Sequence, residues 1–209
     1  MAARALLAED WRTPAGKAGT SALDQGWTPD PLAGRFVEVG GGAATAGFTL
    51  GARLIAQVQR EGKLTAWVGM GASVFYPPDL AAAGVDLAGL VVVRVPDARG
   101  LWRSCDTLLR SGSFALVVAD VQGEIGVPFA AQTRLGGLTQ RHNATLLAIT
   151  RQQARPEQAR GSLVSLRAET AKRRAGHDSF VCGAHMVKDK RGVPGWTHEE
   201  WCRGTDGLC

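Results

Sequence analysis

Apolar residues in this chain gather into short unbroken runs separated by amphipathic stretches. This is the pattern of strands buried on both faces alternating with helices. The runs predict strands over about 35–39, Leu64–Val68, Leu90–Val95, Phe114–Asp120 and Ala144–Thr150. Leu90–Val95, with four consecutive apolar residues before Arg94, reads as a fully buried strand. Between the runs, Leu50, Leu54, Ile55 and Val58 recur at helical spacing and predict a helix from about Thr49 to Arg60, ended by Glu61-Gly62. Further helices are predicted over Asp79–Ala83 after Pro77-Pro78, over Ala98–Ser111 stopped by Gly112, and over Pro128–Arg141. Strands alternating with helices imply an α/β domain with a mostly parallel sheet flanked by helices. After residue 150 the rhythm changes: strands near 162–169 and 179–188 flank the turn Ala175-Gly176-His177-Asp178 and predict an antiparallel hairpin added to the sheet edge. A short helix over 2–10, with Ala2, Ala5 and Leu6 on its apolar side, precedes all of this. Residues 192–209, with Pro194, Trp196, Trp201 and several glycines, read as a flexible tail. The expected organisation is an N-terminal helix (1–12), one core domain (13–191) and a tail (192–209).

Composition fits one domain. The 209 residues are 45% hydrophobic, enough for a sizeable core and unlike a disordered chain. No apolar run approaches the ~18 residues of a membrane helix. Residues Met1–Asp10 are too short and too charged for a signal peptide, so a cytoplasmic, nucleoid-associated protein without membrane contact is expected. The four cysteines (Cys105, Cys182, Cys202, Cys209) are scattered and read as ordinary thiols, with Cys182 in a strand. His198 and Cys202, with His185 and Cys209 near, raise zinc, but no C-x-x-C supports it and no metal is assigned. The net charge of +5 is uneven, +1 over residues 1–150 and +4 over 151–209. The basic C-terminal part favours an acidic partner or nucleic acid, or is a solvated face.

The candidate chemistry sits in Gly34–Leu50, a strand, a glycine-rich turn and a helix start. A working phosphate-binding loop reads G-x-x-x-x-G-K-[ST]: backbone amides cradle phosphate, the lysine neutralises it and the hydroxyl holds Mg²⁺. Two registers are open. In one, Gly42-x-x-x-x-Gly47 is followed by Phe48 and Thr49; in the other, Gly41 leads to Ala46, Gly47 and Phe48. Neither carries the lysine.

From Thr20 to about Lys190 the chain resembles the core of RecA recombinases. The resemblance rests on Thr20-Ser21-Ala22-Leu23-Asp24, on Gly34–Val39 entering the loop, and on Gln59-Arg60-Glu61-Gly62-Lys63 and Ala83-Gly84-Val85-Asp86 around the second strand. It continues in Arg110-Ser111-Gly112 leading to Asp120, in Gly123-Glu124-Ile125-Gly126, in Asn143–Leu147 and in Val187-Lys188-Asp189-Lys190. It implies a RecA-like P-loop core in which Gly41, Gly42, Gly47, Phe48 and Thr49 form a degenerate loop and Asp120 a vestigial metal-binding acid. The residues that would turn over ATP are missing. Val68–Ser73 holds no acid to orient water, and Thr150-Arg151 replaces the sensor amide. No catalytic residue and no cofactor are expected.

The segments matching the DNA-binding loops of RecA are short, Val121 to about Pro128 and about Gln152–Arg160. Arg151, Arg155 and Arg160 remain as candidate phosphate contacts, with no aromatic among them for base stacking, so weak, salt-sensitive DNA binding is expected. A RecA-like domain without ATPase residues resembles the ImuA family of error-prone repair accessories, with SulA-like division inhibitors as the alternative. Tyr76–Leu87 and Val187–Gly195 look like the ImuA versions of those segments. The resemblance implies protein contacts in SOS-induced translesion synthesis with a polymerase-like partner (ImuB), RecA and a DnaE2-type polymerase. Lys188 and Lys190 match the RecA lysines that reach the neighbouring subunit's nucleotide. They are candidate partner contacts, or edge charges that block sheet pairing. Trp196 and Trp201 are candidate partner anchors, or fold back on the sheet.

Overall fold

The computed structural model describes residues 26–42, 45–71, 73, 75–121, 129–150, 163–177, 179–192 and 194–203. The predicted helix over 2–10 lies outside them, as do Arg151, Arg155 and Arg160. The elements in chain order are α1 (Pro29–Leu32), β1 (Phe36–Gly40), α2 (Gly47–Arg60), β2 (Leu64–Met70), α3 (Pro77–Ala82), β3 (Leu90–Val95), α4 (Ala98–Arg110) and β4 (Phe114–Val121). Then come α5 (Phe129–His142), β5 (Thr145–Thr150), β6 (Leu166–Arg174), β7 (Ser179–Asp189) and β8 (Thr197–Arg203).

All eight strands form one sheet in the order β3-β2-β4-β5-β1-β6-β7-β8. It is parallel from β3 to β6 and antiparallel from β6 to β8. The expected α/β architecture with an antiparallel hairpin at one edge is therefore present. The central strands alternate their side chains between two cores. Val37, Val39, Trp67, Leu116, Val118, Leu147 and Ile149 face α2, while Ala66, Val68, Val117, Ala119, Leu146 and Ala148 face α4 and α5. In α2 the predicted apolar set Leu50, Leu54, Ile55 and Val58 is buried, each side chain contributing about 1.5–3 kcal/mol by leaving water. Asp97 caps α4 by accepting from the Gly100 amide at 2.7 Å. Gly62 and Gly112, at φ 71° each, end α2 and α4 as expected.

Four expectations are corrected. β3 is not a fully buried strand but the edge of the sheet, with Val91 and Val92 each 41% exposed. An unbroken apolar run marks a strand, but strand order, which decides edge or centre, is not written in the run itself. α2 begins at Gly47 rather than Thr49, because glycine enters the first turn where Ile149 presses on it; a Cβ there would lie 3.0 Å from Ile149 Cγ2. The third correction is the tail. Residues Thr197–Arg203 pair along β7 as the edge strand β8. Its more buried positions are His198, Glu200 and Cys202, and its exposed ones Thr197, Glu199, Trp201 and Arg203. Polar residues stand on both faces, so the usual apolar alternation is absent from the sequence. The first hairpin strand is also displaced, from 162–169 to Leu166–Arg174, with a bulge between Arg167 and Ala168, while the second runs over Ser179–Asp189 as expected.

Candidate functional site: a glycine loop filled by its own side chains

β1 ends at Gly40, and the chain turns through Gly41 and Gly42 before α2. Beside it β6 runs on past its pairing of Glu169 with Gly40, bringing Thr170 against the turn. Thr170 Oγ1 donates to Gly40 O at 2.9 Å. Its oxygen lies 2.8 Å from Thr45 Oγ1, and Thr45 Oγ1 accepts the Gly47 amide at 3.2 Å. Because the Thr170 proton is committed to Gly40, the Thr45 proton goes to Thr170. The resulting chain of bonds runs one way, from Gly47 N–H through two hydroxyls to Gly40 C=O. Gly41 fits this arrangement only without a side chain: a Cβ would come 2.5 Å from Thr170 O and 2.7 Å from Thr45 Oγ1.

The residue after Gly47 has apolar surroundings. Phe48, partly buried, stacks on Trp67 with ring centroids 6.1 Å apart and an interplanar angle of 24°. Trp67 also meets Phe75 at 5.3 Å, and the Arg94 guanidinium lies 5.9 Å from the Phe75 ring centre. Thr49 is partly buried in the first turn of α2.

Asp120, on β4, lies beside Gly69 of β2 and is wholly buried. It accepts from Ser73 Oγ at 2.5 Å, while Ser73 Oγ accepts the Phe75 amide at 3.2 Å and the Ser73 amide donates to Met70 O at 2.7 Å. Gly69 makes room: a Cβ there would sit 2.7 Å from Ser73 Oγ. Gly41 and Asp120 thus both lie at the C-terminal ends of parallel strands. Thr45, Thr170 and Ser73 escape the sequence reading. The one available signal is a threonine two residues before a helix-opening amide, a common local hydroxyl-to-amide motif.

Lys188 and Lys190 are placed elsewhere. Lys188 pairs with Arg167 near the start of β6, three residues before Thr170. Burial lowers the Lys188 pKa from the usual lysine value, with the like charges of Lys190 and Arg167 adding to it and Glu38 opposing. Lys190 Nζ donates to Leu163 O at 3.0 Å. Arg167 pairs with Glu38 of β1 at 2.6 Å. Between the two lysines, Asp189 points inward and forms a buried ion pair with Arg35. Arg35 also donates to Pro31 O and Ser165 O. Asp189 further accepts from the Arg191 amide at 2.9 Å, the Gly192 amide at 3.1 Å and Trp196 Nε1 at 3.3 Å. Burial pushes its carboxyl up, but the bonds from Arg35, Arg191 and Trp196, with the Arg35 charge, outweigh that and hold it below the usual carboxylate range.

Trp196 therefore folds back, packing on the core rather than standing out as an anchor. Trp201, 68% exposed on β8, does stand out. Its carbonyl accepts from Arg53 of α2 at 3.1 Å, and Arg53 also pairs with Glu200 at 3.4 Å. Burial raises the Glu200 pKa against the pull of Arg53. Cys202 is pushed up to about 12 by burial and by the neighbouring Cys182, so it stays a thiol at neutral pH. Among the described residues no group of three His, Cys, Asp or Glu is placed to hold a metal ion, and no helix is long and apolar enough to cross a membrane.

No family model matches the chain. Over 128 residues, 56% of this chain, it is 30% identical to Protein RecA from Picosynechococcus sp., and it spans 36% of that protein's length. Along that stretch the chain is RecA-like, and its mostly parallel sheet is compatible with that.

Proposed function

We propose that this chain is a non-catalytic, RecA-like accessory protein of SOS-induced error-prone translesion synthesis. It acts by protein contact with a polymerase-like partner of the ImuB type and a DnaE2-type polymerase, and it modulates RecA filaments. The observation that carries the reading is Phe48 packed on Trp67 where a phosphate-neutralising cation belongs. Hydrolysis needs phosphates held and their charge offset. Neither register offers a lysine, and Val68–Ser73 offers no acid to orient water. A domain that keeps the fold and lacks this chemistry retains its surfaces as its means of action.

The deciding experiment is a pull-down with the tagged full chain against the ImuB-type protein and, in parallel, the tubulin-like division protein. Retention of the former supports the reading; retention of the division protein alone replaces it with division inhibition. Lys188 and Lys190 give a second test. RecA turnover on single-stranded DNA should change when this protein is added, and Lys188→Ala/Lys190→Ala should remove the change. Unaltered RecA turnover under both conditions removes the filament role.

A further inference from the structure

We infer that the outer face of the paired helices α4 and α5 is a contact surface for the phosphate backbone of duplex DNA. Such contact needs no nucleotide at the glycine loop and no partner protein, and so goes beyond the accessory role proposed above.

Over the whole chain basic and acidic side chains nearly balance, 24 to 19. The two helices do not share that balance: Arg99, Arg103, Arg110, Arg134 and Arg141 stand against Asp106 as their one acid. On α4 the buried residues Leu101, Trp102, Cys105 and Leu109 turn to the core. Arg99, Arg103 and Arg110, at spacings of four and seven, therefore share the solvent side and are exposed. Leu135 and Thr139 do the same for α5 and leave Arg134 and Arg141 exposed, also seven apart. Asp106 lies where the helices meet and gathers two of the five. Its Oδ1 is 2.7 Å from Arg134 Nε, and its Oδ2 accepts from Arg110 at 3.2 Å. The carboxylate is 11% exposed, yet the Arg134 and Arg110 side chains keep 58% and 63% of their surface in water. One buried acid thus holds a guanidinium from each helix side by side and leaves the group with net positive charge. Arg99, Arg103 and Arg141 meet no acid from either helix.

The chemistry of the face selects its partner. All five cations are arginine, whose planar fork matches phosphate oxygens two at a time. Arg99 and Arg110 are about 16 Å apart along α4, enough to follow several phosphates of a duplex that carries one charge per ~1.7 Å of axis. A protein partner would need an apolar or aromatic anchor at its centre. Among the described residues of α4 and α5, Phe129 is the only large hydrophobic left exposed, and it sits at the first position of α5 rather than among the arginines. The same lack of exposed rings removes base stacking and disfavours a single strand. What is left is sequence-independent contact with a backbone.

Anisotropy of a labelled duplex of about 30 base pairs, titrated with the full chain, tests this. Micromolar binding at 50 mM salt should weaken about fortyfold by 200 mM, as roughly three neutralised phosphates require. Arg99→Gln/Arg103→Gln/Arg141→Gln leaves the Asp106 pairs intact and should weaken binding at 50 mM about tenfold or more, with a flatter salt dependence. The matching triple change to lysine should recover most of the affinity. Arg151→Gln/Arg155→Gln/Arg160→Gln removes the same charge elsewhere and should cost less than about threefold. Parent-like binding by the helix variant overturns the inference, and so do equal losses in the two glutamine variants. Displacement of the duplex by polyglutamate at equal charge overturns it in favour of an acidic protein, and tighter binding of a single strand of equal length overturns the duplex. Each of these failures leaves the accessory reading standing.

Discussion

Asp189→Ala should lower the unfolding free energy by about 3–5 kcal/mol, the usual consequence of removing one member of a buried ion pair. The side chains of Arg35 and Asp189 are 4% and 0% exposed, so the guanidinium left behind cannot turn to water in place. The same carboxylate gathers the Arg191 and Gly192 amides and Trp196 Nε1, so its loss loosens the exit of β7 and the entry to β8 together. Against a total stability of about 5–15 kcal/mol this is a large fraction. Its pH dependence has a definite sign. The folded-state pKa of Asp189 is depressed, so its stabilisation is complete above the unfolded value of about 4 and is lost as pH falls through the folded value. Urea unfolding at neutral pH should separate parent from variant widely, and the gap should narrow as the solution is acidified below that range. A gap that stays constant into acid would mean the charge of Asp189 contributes little.

Trp67→Ala should cost about 3–5 kcal/mol, as large aromatic truncations in cores do. Trp67 is 1% exposed and touches both Phe48 and Phe75, so truncation removes the floor under the first turn of α2. Trp67→Phe keeps most of the apolar volume and should cost less than about 1.5 kcal/mol. Thermal unfolding of the two variants side by side checks this. Equal losses would show that the cluster is held by something other than aromatic packing.

These two sites also mark where the sequence could and could not be read. The central strands announced themselves through unbroken apolar runs, and α2 through the spacing of Leu50, Leu54, Ile55 and Val58. That Phe48 follows Gly47 was legible directly, because a residue's place in a local motif is written in the sequence. Long-range polar pairings were not. Arg35 and Asp189 lie 154 positions apart, and Thr45 and Thr170 lie 125 apart. Nothing within either neighbourhood points to the other. β8 stayed hidden because its buried face carries His198 and Glu200, with Glu200 made tolerable by Arg53 from a distant helix. The edge position of β3 was invisible because a valine run serves a central strand and an edge strand equally well.

Under the proposed function this fold works by contact and not by nucleotide chemistry. Phosphate release from ATP–Mg²⁺, measured on the purified chain with and without single-stranded DNA, tests it most directly. The account predicts release at the buffer background in both conditions, unaltered by Asp120→Asn. Release above background that Asp120→Asn abolishes would contradict it.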